Sequence, residues 1–158
     1  MTSFSTSTRS AATVTAAPEE VWAAITDPDQ VARMTPFLSR VTPRGEHWVW
    51  EMTKVPVLGK SFSFTFTERM TFDEPRRMEF VHDPAAAPRS ESAGVEGWYA
   101  LTPHGEGTRL ETSMAITVDL PFPGLTRPAV GAAMKGVVTL MGQRFAQNLL
   151  HHLGARTA

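Results

Sequence analysis

One carboxylate stands apart in this chain. Glu68 lies in the run Phe62-Ser63-Phe64-Thr65-Phe66-Thr67-Glu68-Arg69-Met70-Thr71-Phe72, where every other even position is phenylalanine or methionine. Alternation at period two places the even residues on one face of a strand. A carboxyl among aromatic rings is desolvated, its pKa rises, and it suits general acid or base work. The competing reading is a bend at Glu68 that lets it reach solvent or an arginine. Tyr99 is the single phenol. It can donate to a ligand carbonyl, or it can simply pack its ring in the core with a satisfied hydroxyl. Arg144, Asn148 and His152 recur at i, i+4 and i+8 on or beside an apolar helical stripe, so Arg144 is a natural partner for Glu68. Glu68, Tyr99 and Arg144 are the candidate proton-transfer groups.

Other chemistry is absent from the pattern. There are no cysteines, so disulfides, thiolate metal sites and a Cys nucleophile are excluded. No G-x-S-x-G, H-E-x-x-H or Walker pattern occurs. Gly105-x-Gly107 joins two strands and is no phosphate loop. His151 and His152 point about 100° apart with no acid nearby, so no metal site is expected. No cofactor is expected either. A net charge of −1 gives no footprint for nucleic acid. No uncharged apolar run reaches the roughly 18 residues of a membrane span. The Ser/Thr-rich start has no apolar core of a secretory signal. A single cytoplasmic domain over residues 1–158 is the expectation.

The positioning elements follow from the same spacing. Residues 4–15 suit a half-buried strand. Pro18-Glu19-Glu20 opens a short helix with Val21, Trp22 and Ile25 on one stripe, ended by Pro28. Residues 29–34 form a second short helix before Pro36. Strands are predicted at 38–43, 47–53, 60–72, 77–82, 91–102 and 108–119, with Pro56 and Gly59 interrupting after the second of these. The facing of 91–102 is ambiguous, because Val95, Gly97, Tyr99 and Leu101 compete with Glu96, Trp98 and Ala100. Residues 126–153 form one long helix, with Val130, Met134, Val137, Val138, Met141, Phe145 and Leu149 on one face. Strands joined by short turns make an antiparallel sheet, and the long helix is the only cover for its apolar face. A curved sheet wrapped on such a helix leaves a cavity.

Ala17-Pro18-Glu19-Glu20-Val21-Trp22, then Thr26-Asp27-Pro28, then Gly107-Thr108-Arg109-Leu110 and the long terminal helix together resemble the START-like (SRPBCC) superfamily. Within it the chain resembles the polyketide cyclase/dehydrase group. The resemblance covers essentially the whole chain. It implies an α+β helix-grip fold: a curved antiparallel sheet around a long C-terminal helix, with two short helices after the first strand. It implies apolar-ligand binders, lipid carriers and cyclases as functions, and it carries no catalytic motif onto these residues.

Three functions are therefore weighed. The first is a carrier or sensor that holds a polyketide-, aromatic- or lipid-like molecule between sheet and helix. Its ligand would meet Trp48, Trp50, Phe62, Phe64, Phe66, Phe80 and Met114 from the strands. Met134, Val137, Met141 and Asn148 would meet it from the helix. Trp98 could stack as well, although cross-strand packing explains the tryptophans equally. Access is expected near loops 83–89 and 120–126. The second is a cyclase or dehydratase in which Glu68 works with Tyr99 or Arg144. The third is a protein-interaction module using the terminal helix, with Leu150 and Leu153 outward. The partner is a hydrophobic small molecule, with no nucleic acid and no stable membrane insertion; a homodimer is left open.

Overall fold

The computed structural model describes residues 1–158. Strand β1 (Thr2–Val14) is followed by helices α1 (Pro18–Ile25) and α2 (Pro28–Met34). Six further strands run as β2 (Leu38–Arg44), β3 (His47–Val57), β4 (Lys60–Asp73), β5 (Arg77–His82), β6 (Ala93–His104) and β7 (Gly107–Leu120). Helix α3 (Arg127–Leu153) closes the fold. The seven strands form one antiparallel sheet in the order β1-β7-β6-β5-β4-β3-β2. Consecutive strands neighbour one another, and only β1 reaches across to β7. No helix is long and apolar enough to cross a membrane.

Local chemistry explains the boundaries. Pro18 sits in the first turn of α1 beside Glu19 and Glu20. Asp27 caps α2 by accepting from the amides of Asp29 (3.0 Å) and Gln30 (3.3 Å). Gly154, at φ 61°, takes the left-handed cap of α3.

One expected break does not occur. Strand β3 continues through Pro56 to Val57 after an irregularity between Met52 and Val55. The proline is tolerated because β2 pairs β3 only as far as Met52, so Pro56 lies where β3 is an edge and needs no outward donor. Sheet curvature has a visible cause in β6. A Cβ on Gly97 would lie 2.0 Å from the carbonyl oxygen of Ser113 on β7, an approach only glycine permits.

The cover is pinned at its ends. Arg127 and Lys135 donate to the carbonyls of Ser3 (2.8 Å) and Ser7 (2.7 Å) on β1. Further along α3, the Asn148 side chain donates to the carbonyl of Met34 at the end of α2 (2.9 Å). Of the predicted helical stripe, Val130, Met134 and Leu149 are fully buried, whereas Val137, Val138, Met141 and Phe145 remain half-exposed.

The buried side chains accordingly form two cores. One gathers α1, α2, Trp48, Met70, Met78, Phe80, Tyr99, Leu101 and Leu149. The other gathers Phe4, Val55, Phe64, Phe66, Val118, Leu120, Val130 and Met134. Trp50, Met52 and Val95 are partly buried against both.

The first core is closed by a polar tie. Thr108 is fully buried, and its hydroxyl donates to the carbonyl of Ala16 at 2.8 Å. Thr108→Val is expected to cost about 1–2 kcal/mol, because it removes the donor and leaves a buried carbonyl short. Thr108→Ser should keep most of that stability. Urea denaturation checks this, and an unchanged midpoint for the valine variant would refute it.

Candidate functional site

Strand β4 alternates as its sequence demands, and Glu68 stays in phase. It is 1% exposed, between Phe66 and Met70 on the face that looks at α3. It stands directly opposite Trp48 on β3 and His82 on β5. The bend to solvent does not occur. Burial pushes the Glu68 carboxyl well above its ordinary value, and the charge of nearby Glu91 adds to the rise.

Glu68 lies on the boundary between the two cores, since Phe66 belongs to one and Met70 to the other. Trp50 is its diagonal neighbour across β3 and β4. The Trp50 ring stacks on Phe66 at 5.8 Å and 10°, and lies 5.9 Å from Trp48. Two buried side-chain polar atoms in the molecule lack a hydrogen-bond partner, and both are here: Trp50 Nε1 and Glu68 Oε2. Buried polar groups are nearly always paired, so each such exception needs an explanation.

Tyr99 resolves the facing of β6. It is buried, as is Leu101, on the inner side that half-buried Val95 and Gly97 share, and it stands opposite Met78. Its ring meets Phe80 at 5.9 Å and Phe145 of α3 at 6.3 Å, both edge-on. Burial, and then the charge of Glu68, raises its phenol above the ordinary value. Trp98 therefore faces outward, with the guanidiniums of Arg77 at 4.6 Å and Arg9 at 5.5 Å over its ring. It is unavailable to an interior ligand.

The remaining predicted groups divide. Trp48, Phe64, Phe66, Phe80 and Met134 are buried in the cores, while Phe62, Met114, Val137 and Met141 are half-buried. Phe62 packs against Phe64 at 6.2 Å and Phe122 at 5.9 Å. Arg144 is exposed on α3 and forms no ion pair with Glu68, so the expected charge partner is absent. Its one-turn neighbour Asn148 is spent on Met34. His151 and His152 are exposed in the last turn. Leu150 and Leu153 pack against the first core, which removes them from an outward docking face.

A second carboxylate was not legible as a site residue. Glu91 has a side chain 2% exposed. It accepts from the Thr67 amide (3.0 Å), from the Thr67 hydroxyl (2.8 Å), and pairs with His82 Nε2 at 2.9 Å. Strand β5 spans 6 residues beside 14 in β4 and 12 in β6, so the Thr67 amide lies just past its end. Glu91 supplies the acceptor that a longer β5 would have given. The His82 ring fits only because residue 94 is glycine; a Cβ there would lie 2.3 Å from Nδ1. The unequal strand lengths were the only signal in the sequence. Nearby, Asp83 pairs with His47 (2.9 Å) and Arg69 (3.3 Å). The hydrogen bond from His47 is the main cause of its lowered carboxyl pKa.

Two open grooves mark the surface, and neither is lined by α3. One, of about 350 Å³, lies on the outer face of β6 and β7, beside His82, Glu91, Glu96, Thr117 and Asp119. The other, of about 390 Å³, is lined by Trp22, Pro28, Pro43, Trp48, Phe72 and Glu74. The inner space is instead marked by partly exposed side chains of the sheet, Trp50, Met52, Val95, Met114 and Ile116, and by Met141 of α3.

An open sheet gripping a long helix, with two short helices after the first strand, defines the START-like helix-grip class. The chain belongs to the family described as polyketide cyclase / dehydrase and lipid transport, whose model matches residues 1–154. No curated protein matches the sequence. Among solved structures, the Zhui aromatase/cyclase of a Streptomyces species superposes with a TM-score of 0.69 at 16% identity, covering 95% of this chain and 94% of that one. A Thermus thermophilus protein gives 0.66 at 21% identity, covering 93% and 99%. A START superfamily protein from Mycobacterium smegmatis gives 0.63 at 14% identity, covering 95% and 97%. At these identities the likeness concerns the fold.

Proposed function

We propose that this protein binds an apolar small molecule between the central strands and the middle of α3. One observation carries the reading. The interior is two cores at the two ends of α3, and between them Glu68 Oε2 and Trp50 Nε1 are buried without partners. A chain optimised only for stability would fill such a seam with apolar side chains. A ligand seated there would cover Val95, Met114 and Met141 and meet the two polar atoms, which is the usual make-up of a small-molecule site. The middle of the helix, held mainly through its two ends, would move outward to admit it.

A second reading has its own support. A buried carboxyl whose pKa burial raises, on the same sheet face as a buried phenol, is suited to proton transfer. A cyclisation or dehydration of a polyketone would use Glu68 and Tyr99; Arg144 is too exposed to join them. Native mass spectrometry of protein purified from its own host tests for a retained ligand. Titration with aromatic polyketides, flavonoids and fatty acids, read by tryptophan fluorescence, follows. Binding without turnover supports the carrier. Turnover that disappears in Glu68→Gln while binding persists supports the enzyme. No retained ligand and no binding by any of the panel would refute both.

A further inference from the structure

We propose that Glu68 and Trp50 form a two-donor clamp that holds an uncharged ligand by a carbonyl oxygen, so that the site selects neutral carbonyl compounds and rejects carboxylates. The inference rests on the pocket proposed above and specifies its chemistry.

The argument is one of complementarity. An indole N–H is a donor only, so Trp50 Nε1 lacks an acceptor. Glu68 is buried beside Glu91, whose carboxylate is already taken by Thr67 and His82. Glu68 is 1% exposed, its Oε2 has no partner and no cation pairs with it, and burial without a cation favours the protonated carboxyl, which presents an O–H. The two groups are diagonal neighbours on one face of β3 and β4, a separation that one ligand can span. What the seam lacks is an oxygen acceptor.

Charge narrows the class. Arg144 is exposed, and the other α3 cations, Arg127 and Lys135, are engaged with β1 carbonyls. A ligand carboxylate would enter apolar surroundings without a cation, at a large desolvation cost. An amine could take the Glu68 proton, but it would leave the Trp50 N–H unpaired. A neutral carbonyl satisfies a donor without burying charge. A site with committed polar groups discriminates strongly against an analogue that cannot pair them.

The test uses three naphthalenes of similar shape at pH 7: 2-acetonaphthone, 2-naphthoate and 2-isopropylnaphthalene. Binding is followed by ¹H–¹⁵N spectra, with the Trp50 indole signal assigned from Trp50→Phe. The ketone is expected to bind at least tenfold tighter than either analogue and to shift the Trp50 indole proton downfield. In Trp50→Phe and in Glu68→Leu, each confirmed folded by its own spectrum, the ketone should fall toward the hydrocarbon's affinity. Naphthoate or the hydrocarbon binding as tightly as the ketone would overturn the clamp and leave the pocket standing. Ketone binding that leaves the indole signal unmoved would also overturn it. Failure of all three to bind would overturn the pocket reading and the clamp with it.

Discussion

Phe64→Ala is expected to destabilise the protein by about 3–5 kcal/mol, the range for emptying a phenylalanine site in a core that cannot fully collapse. Phe64 is 8% exposed and stands in the core that joins β4 to Val130 and Met134 at the start of α3. Phe62 lies against it at 6.2 Å, so its removal also costs an aromatic contact. With total stabilities of roughly 5–15 kcal/mol, such a loss takes a large share. Phe72 provides the control. It sits on the same strand face but is 45% exposed, and Phe72→Ala should cost under about 2 kcal/mol. Urea melts of both variants decide the matter. A Phe64→Ala loss below about 1 kcal/mol would mean that the alternating face of β4 is not the buried one.

That face was readable because β4 obeys a single period over its whole length. Phe62, Phe64, Phe66, Met70 and Phe72 could only line one side, and the neighbouring strands inherit their phase through the register. The terminal helix was equally plain from its seven-residue apolar stripe. Other features turn on pairing partners that a one-dimensional pattern does not contain. Pro56 reads as a strand breaker, and it would be one if β2 reached that far. Residues 91–102 offer apolar side chains on both faces, and only the pairing of Tyr99 with Met78 fixes which is inside.

The site divides along the same line. Glu68 was legible as a lone carboxyl in an aromatic run, because its neighbours in sequence are its neighbours in space. Arg144 was matched to it by helical spacing, but a spacing gives only the direction relative to the helix's own stripe. Arg144 lies three residues from half-exposed Met141, where the helix stands between two cores and a long side chain is free to turn to water. Glu91 belongs to no element pattern at all. Its role depends on β5 ending early and leaving the Thr67 amide open. The two-core interior was likewise hidden, since the stripe from Val130 to Leu149 is continuous in sequence although burial is full only toward its ends.

The buried Glu68 carboxyl should leave a signature in the pH dependence of stability. An unfolded glutamate titrates near about 4.3, and the folded one titrates well above that, chiefly because of burial. Below the unfolded value both states carry the proton, and the group contributes no pH dependence. Between the two values the native state holds a proton that the unfolded state has released, so stability falls as pH rises, by up to about 1.4 kcal/mol per pH unit. Above the folded value both states are ionised and the slope vanishes, with the penalty fully present. Glu68→Gln is neutral throughout and escapes the penalty. The variant should therefore match the wild type near pH 4 and exceed it progressively toward pH 8. Taking the difference between the two proteins cancels groups that titrate alike in both, such as Asp83 with its His47 and Arg69 partners. Denaturant melts of the pair across pH 4–8 give that difference directly. Parallel curves with a constant offset would show that Glu68 ionises in the folded protein as easily as in the unfolded chain. It would then be solvated, and both the acid chemistry and the donor role assigned to it would fall.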